Sequence, residues 1–365
     1  MKKNLFILSF IFLIFSYLYG QKAPKNVILL IGDGMGPVQV EALSYLKSGK
    51  PAVMTQFPCH GISNTNNLRD SITDSAAGGS ALSTGKKTLN GHVATDENGH
   101  PNENIVEWVS HENNMGTGII VTSHITDATP AAFYAHVNSR KEHEEIARQL
   151  VFSDLDFVAG GYLNYFLPEE RKDHLNLLDS LDIRGFTLNT SIAEMNNAVA
   201  AKPFVMLSEK YPPKASERES WLQNCMYNAF DCLTRHTNGF FLMVEGSQID
   251  WACHDNDFDH FADEILEFDK AVQIAYEFAM ANDETLVVVT ADHETGGMSL
   301  DPAIKKVKKK LVSQEVGKYV TWETKRHTGK PVNVYAFGPG AELFQGKMEN
   351  TDIYLKIKNL LTRKH

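Results

Sequence analysis

The sequence predicts an α/β fold in which a central, largely parallel β-sheet is flanked by helices on both faces. Three observations lead there: short apolar runs rich in β-branched residues recur along the chain, they are continuous rather than alternating, and helical patterns separate several of them. Successive side chains of a strand point to opposite faces, so a run that is apolar at every position must be covered on both sides. That is the signature of parallel strands joined by crossover helices.

The first run, "NVILLI" (26–31), precedes the helical pattern "VQVEALSYLK". The second, "TGIIVT" (117–122), precedes "SRKEHEEIARQL", where Ser139 and Glu142 have capping-box spacing and place Arg140 in the first turn of a helix. "DFVAGG" (156–161) is the third. The fourth, "GFFLMV" (239–244), precedes the longest helical pattern, with Phe258, Phe261, Ile265, Phe268 and Val272 on one face. "TLVVVT" (285–290) and "VNVYAFG" (332–338) complete the set.

The 365 residues, 43% hydrophobic, suffice for one large core or two modest ones, and no internal repeat is visible. With 45 acidic against 35 basic residues the net charge is -10, which argues against sequence-independent nucleic-acid binding. The one basic run, "KKVKKK" (305–310), reads as a solvated helix face. Lys2 and Lys3 before the apolar run Leu5–Tyr19 read as a secretory signal over residues 1–20, because a spanning helix needs about 20 apolar residues. The expectation is a secreted or periplasmic protein, residues 21–365 forming one catalytic domain with no stable membrane insertion after cleavage. Four cysteines are too few for a disulfide framework. Cys225 and Cys232, seven apart in a helical pattern, would stand ~10.5 Å apart, beyond disulfide reach. Cys253 reads as a small buried hydrophobe.

In open α/β sheets ligands bind beyond the carboxyl ends of the strands, so the residues just after each run carry the functional information. The first run delivers Asp33, the second Asp127 and Thr129, the fourth Glu245 and Asp250, the fifth Asp292 and His293. Carboxylates gathered this closely repel one another unless cations are present. Asp with His suits zinc, and an all-oxygen set suits magnesium. Asp250 and His254, four apart, share one face of a helical turn, and His327 stands just before the last strand. His60, His92, His124, His136 and His260 lack such company and read as structural or exposed. In "ITDSAAGGSALSTG", Ser75 opens a helix of small residues, so its hydroxyl sits at the positive helix end. Arg140 offers a planar fork for two phosphate oxygens.

"GDGMG", "TDSAAGGSALSTG", "DATPAAFYAHVNSR", "FLMVEGSQID", "TADHETGG" and "HTG", in this order, resemble the alkaline phosphatases over about residues 26–345. The resemblance implies that Ser75 is the nucleophile that becomes phosphorylated and that Arg140 clamps the phosphoryl oxygens. It implies two Zn²⁺ and one Mg²⁺: Asp33, Asp292 and His293 for the zinc beside Ser75, and Asp250, His254 and His327 for the zinc on the leaving-group side. Thr129, Glu245 and a second oxygen of Asp33 would hold magnesium, with Asp127 acting through water. A homodimer is implied too, with a reduced cap insertion over about 295–326. Trp251 stands where some relatives have Lys or His. The expected activity is hydrolysis of small phosphate monoesters. A phosphodiesterase of the same superfamily and a catalytically silent metal- or phosphate-binding secreted protein are the alternatives; the sulfatase pattern, a modified Cys or Ser with following Pro and Arg, has no counterpart in "DSAAGG".

Overall fold

The computed structural model describes residues 23–197, 202–307 and 313–362. The segment read as a secretory signal and Lys308, Lys309 and Lys310 of the basic run lie outside these; Lys305 and Lys306, both exposed, end a 3₁₀ turn, Pro302–Lys306. In chain order the strands are β1 (Asn26–Gly32), β2 (Cys59–Asn64), β3 (Gly116–His124), β4 (Phe157–Gly161), β5 (Phe186–Asn189), β6 (Lys202–Met206) and β7 (Phe240–Gly246). They continue with β8 (Thr285–Thr290), β9 (Glu294–Thr295), β10 (Ser299–Leu300), β11 (Val320–Thr321), β12 (His327–Thr328), β13 (Val332–Phe337) and β14 (Gly346–Glu349).

Ten of these form one sheet in the order β14-β2-β13-β8-β1-β7-β3-β4-β6-β5. β13 alone runs against its neighbours β8 and β2; the other pairings are parallel. The continuous apolar runs are explained by the two cores. Val27, Leu29 and Ile31 of β1 pack into one hydrophobic cluster, and Ile28 and Leu30 into the other, on the opposite face. On the second face lies the long helix Phe258–Ala281, where Phe261, Ile265, Phe268 and Val272 are fully buried and Phe258 is partly so.

Register aligns the strand ends that matter. Ile31 of β1 pairs with Glu245 of β7 on one side and with Thr290 of β8 on the other. Val121 of β3 also pairs with Glu245. Residues leaving β1, β3, β7 and β8 therefore emerge along one edge. Between Glu294 and Thr328 the chain adds two small ribbons, β10 with β11 and β9 with β12, the latter setting His327 opposite Thr295.

The expected helix start at Ser139 is corrected. The helix is His143–Phe152, its N-cap is Glu142, and no side chain caps it. Ser139 instead closes a turn: its carbonyl accepts from the Glu142 amide at 3.0 Å and its hydroxyl from the Lys141 amide at 3.3 Å. Arg140 sits in that turn, anchored by its amide to the Gly91 carbonyl at 2.8 Å. Cys225 and Cys232 share the helix Trp221–Leu233, and the four cysteines are buried thiols outside any disulfide.

Candidate active site

Helix Ser75–Thr84 is buried along its whole length because it is made of small residues. A Cβ at Gly78 would lie 3.0 Å from the Asp292 carbonyl, and one at Gly79 3.2 Å from Thr129 Cα, so the glycines allow close approach to two strand exits. Asp74 is the N-cap: its carboxylate accepts from the amides of Ala77 and Gly91, both at 3.0 Å. Ser75 is thus relieved of capping. Its Oγ lies at the helix N-terminus, 3.2 Å from His293 Nε2.

Two donor groups lie beside this serine. Asp33, Asp292 and His293 are all buried, with His293 Nε2 3.5 Å from Asp33 Oδ1 and 3.3 Å from Asp292 Oδ2. Asp250, His254 and His327 form the other, with His254 Nε2 3.3 Å from Asp250 Oδ2. Helix Gln248–Asp255 brings Asp250 and His254 to one face, and β12 supplies His327.

The imidazoles are oriented from behind. His254 Nδ1 donates to the Lys325 carbonyl at 2.6 Å, and His327 Nδ1 to the Thr73 carbonyl at 2.9 Å. His293 Nδ1 is 3.2 Å from Thr295 Oγ1. With Nδ1 committed, each ring in its neutral form presents a bare Nε2 lone pair inward, and the Nε2 atoms of His254 and His327 face each other at 3.0 Å. Two acceptors at that distance need a proton or a cation between them. Asp33 Oδ1, Asp292 Oδ2 and Glu245 Oε2 are also buried without a hydrogen bond among the described residues. Unpaired buried carboxylate oxygens and bare imidazole nitrogens converging on shared points fit divalent cations.

The electrostatics point the same way. Burial, then the charges of Asp292 and Asp250, push the Asp33 carboxyl well above its ordinary range. Burial likewise raises Glu245, where Asp292 and Asp127 add repulsion, and raises Asp292 to about 7. Burial opposes ionisation of Asp250 as well, yet the hydrogen bond with His254 and the imidazoles gathered around it hold it well below the usual range. The bond to Asp250 in turn lifts His254 to about 9. Burial and the neighbouring His327 keep His293 neutral. The Thr129 hydroxyl lies close enough to favour the ionised form of Glu245, which makes an all-oxygen pair with Asp127 in electrostatic range.

Arg140 is gripped between two carboxylates, Asp74 at 3.4 Å and Asp127 at 3.2 Å. Their charge outweighs burial and raises its pKa, so it remains cationic at any working pH. The residues singled out in the sequence therefore meet at one strand edge. Sequence reasoning passed over Asp74 and Thr295; His124, read as structural or exposed, ends β3, and its carbonyl accepts from the Asp127 amide. Asp74 was legible as an N-cap, but its second oxygen's grip on Arg140 is a contact across 66 residues.

Comparison with known proteins agrees with this geometry. The alkaline phosphatase family model matches residues 24–319 and 298–362. Alkaline phosphatase 4 of Bacillus subtilis is 31% identical over 404 aligned positions, covering 90% of this chain and 87% of that protein. The structure of alkaline phosphatase from the Antarctic bacterium TAB5 is 40% identical, with a TM-score of 0.86, covering 94% of this chain and 100% of that one. A variant of the TAB5 enzyme, 40% identical at a TM-score of 0.85 and covering 93% of this chain and 99% of its own, has Mg bound in its M3 site. A family model spanning nearly the whole described chain, with a relative above 30% identity over nine-tenths of it, makes this protein a phosphatase of the alkaline phosphatase family.

Proposed function

We propose that the protein hydrolyses phosphate monoesters to an alcohol and inorganic phosphate through a phosphoserine on Ser75. The observation that carries this reading is the position of Ser75 Oγ, at a helix N-terminus and 3.2 Å from His293 Nε2, beside both donor groups. Asp33, Asp292 and His293 would hold one Zn²⁺, Asp250, His254 and His327 the other, and Thr129, Glu245 and Asp33 a Mg²⁺, with Asp127 acting through water. Bound there, the cations would favour the serine alkoxide and offset charge on the leaving oxygen.

The chain's own residues do the rest. The Arg140 fork holds two phosphoryl oxygens, and Asp74 and Asp127 fix its plane. Ser75 gives up its hydroxyl proton to solvent and its Oγ attacks phosphorus in line; the new O–P bond forms as the ester O–P bond breaks, and the departing alkoxide takes a proton from water to leave as the alcohol. The helix N-terminus favours the anionic phosphoryl group on Ser75. Water then cleaves the Ser75 O–P bond and phosphate departs. Secretion through the N-terminal signal and assembly as a homodimer belong to the same proposal. Among the described residues no helix is long and apolar enough to cross a membrane.

The test is a Ser75→Ala variant assayed beside wild type for zinc and magnesium content, for phosphate incorporation, and for turnover of monoester, diester and sulfate ester with and without chelator. The variant is expected to keep its metals, to lose phosphoserine, and to lose turnover by several orders of magnitude. Undiminished turnover would remove Ser75 from the mechanism, and preference for diesters would move the protein to another branch of the superfamily.

A further inference from the structure

Next to Asp127 and Asp250 lies a patch of rings that the reaction above does not use. Trp251 follows the donor Asp250, and its ring meets that of His124 edge-on, 6.3 Å between centroids. His124 is followed three residues later by Asp127, whose amide donates to the His124 carbonyl at 3.0 Å. Around His124 stand Tyr162 at 4.3 Å, Tyr211 at 6.0 Å and Tyr165 at 6.4 Å. Tyr211 is 80% exposed. Asp127 thus joins the two: its backbone pairs with His124 and its carboxylate holds the arginine that would bind phosphate.

The patch is held in place from several directions. Tyr162 has a left-handed backbone, φ 73° and ψ 69°, which a bulky residue keeps only where its surroundings enforce it. Here the amides of Tyr162 and Leu163 donate to the Ser208 carbonyl at 3.0 and 3.3 Å, and that of Asn164 to Glu209 at 3.3 Å, joining the two loops that carry the tyrosines. Gln248 donates to the carbonyls of Thr122 at 2.9 Å and Pro213 at 3.0 Å, which ties the Tyr211 loop to the helix of Asp250. Burial, then the neighbouring Tyr162 and Asp127, push the Tyr165 phenol up to about 12, so that ring stays uncharged through the alkaline range.

We propose that this aromatic rim receives the alcohol half of the substrate and favours phosphate monoesters whose alcohol carries a planar aromatic ring, as aryl and nucleoside esters do. The inference rests on the monoesterase reading of the site. A planar ring can stack on or pack edgewise against these side chains, whereas a small polyol gains nothing from them that water does not provide.

The test compares kcat/KM for 1-naphthyl phosphate and glycerol 2-phosphate in wild type, Tyr211→Ser and Tyr211→Phe. Calorimetric binding of phenylphosphonate and methylphosphonate is measured on the same proteins. In Tyr211→Ser the naphthyl-to-glycerol ratio is expected to fall about three- to ten-fold, with a matching loss of preference for phenylphosphonate, and Tyr211→Phe is expected to restore both. An unaltered ratio in Tyr211→Ser overturns the proposal. If the wild type turns over neither ester, the monoesterase reading fails, and the phosphonates still decide the rim: a phenyl preference lost in Tyr211→Ser supports it, and no phenyl preference sinks it.

Discussion

Thr295 shows how much of the site depends on side chains that hold others. Its Oγ1 hydrogen-bonds Asp250 Oδ1 and lies 3.2 Å from His293 Nδ1, so one hydroxyl touches a donor from each group. A hydroxyl has one proton, so it can donate to Asp250 while accepting from the Nδ1–H of His293, which fixes the tautomer that leaves Nε2 bare. Thr295→Val keeps the shape and removes both bonds. The expected outcome is a 10- to 100-fold weaker hold on divalent cations, read from metal retained against a competing chelator, with the folded structure kept. Retention equal to wild type would show that the hydroxyl does not orient the donors. This role was hidden in the sequence, because Thr295 in "ADHETGG" is separated from Asp250 by 45 residues and threonine has no pattern that announces an outer partner. Ser75, by contrast, was legible, since Asp74 and the small-residue run mark a helix start whatever the tertiary context. Arg140 was legible as a residue type but not in its local structure, because the Ser139 hydroxyl can close a turn as readily as it can cap a helix.

Among the elements, the six continuous apolar runs appear as β1, β3, β4, β7, β8 and β13, because burial on both faces leaves the same mark in any sequence. β2, "CHGISN", escaped because it is buried and exposed in alternation and contains few apolar residues; it forms a strand because β13 and β14 pair with it on both sides. β5 and β6, at the other end of the sheet, are short and were equally silent. Helix Phe258–Ala281 carries a device that its apolar face does not disclose. Its Glu264 and Glu267 both bond Arg218, whose side chain is fully buried, and Arg218 also donates to the Pro213 carbonyl at 2.7 Å. The arginine fastens the 213–218 segment to the helix. Arg218→Met would leave two buried carboxylates facing one another, a loss of about 3–5 kcal/mol in unfolding free energy. Urea denaturation should register it as a lower midpoint with an unchanged slope. Replacing Arg218, Glu264 and Glu267 together by apolar residues should recover most of that loss, and failure to recover it would mean the pairing itself, not the stranded charge, supplies the stability.

At the scale of the whole molecule, the sheet concentrates charge at one edge, and this makes stability a function of both pH and metal. Without cations, Asp33, Glu245 and Asp292 have folded-state pKa values above those of an unfolded chain, Asp292 reaching about 7. A carboxyl with a raised pKa contributes its stability below the unfolded value, about 4, and loses it as pH climbs through the folded value. His254, lifted to about 9, has the same sign: its contribution is complete below about 6.5 and is lost as pH rises through 9. Asp250, held low, acts oppositely, but its contribution disappears only in acid. His293, kept neutral by burial, works against them until the unfolded imidazole loses its proton near 6.5. The metal-free protein should therefore become less stable from about pH 6.5 to pH 9. Divalent cations need the same groups deprotonated, so they bind more tightly over that interval and stabilise the folded state by mass action. Thermal midpoints of chelated and metal-reloaded protein, measured in parallel from pH 5 to pH 9, should diverge steadily as pH rises. If the two curves stayed a constant distance apart, proton release from the buried carboxylates would not be linked to metal binding, and the mutual repulsion of Asp33, Glu245 and Asp292 could not be what the cations relieve.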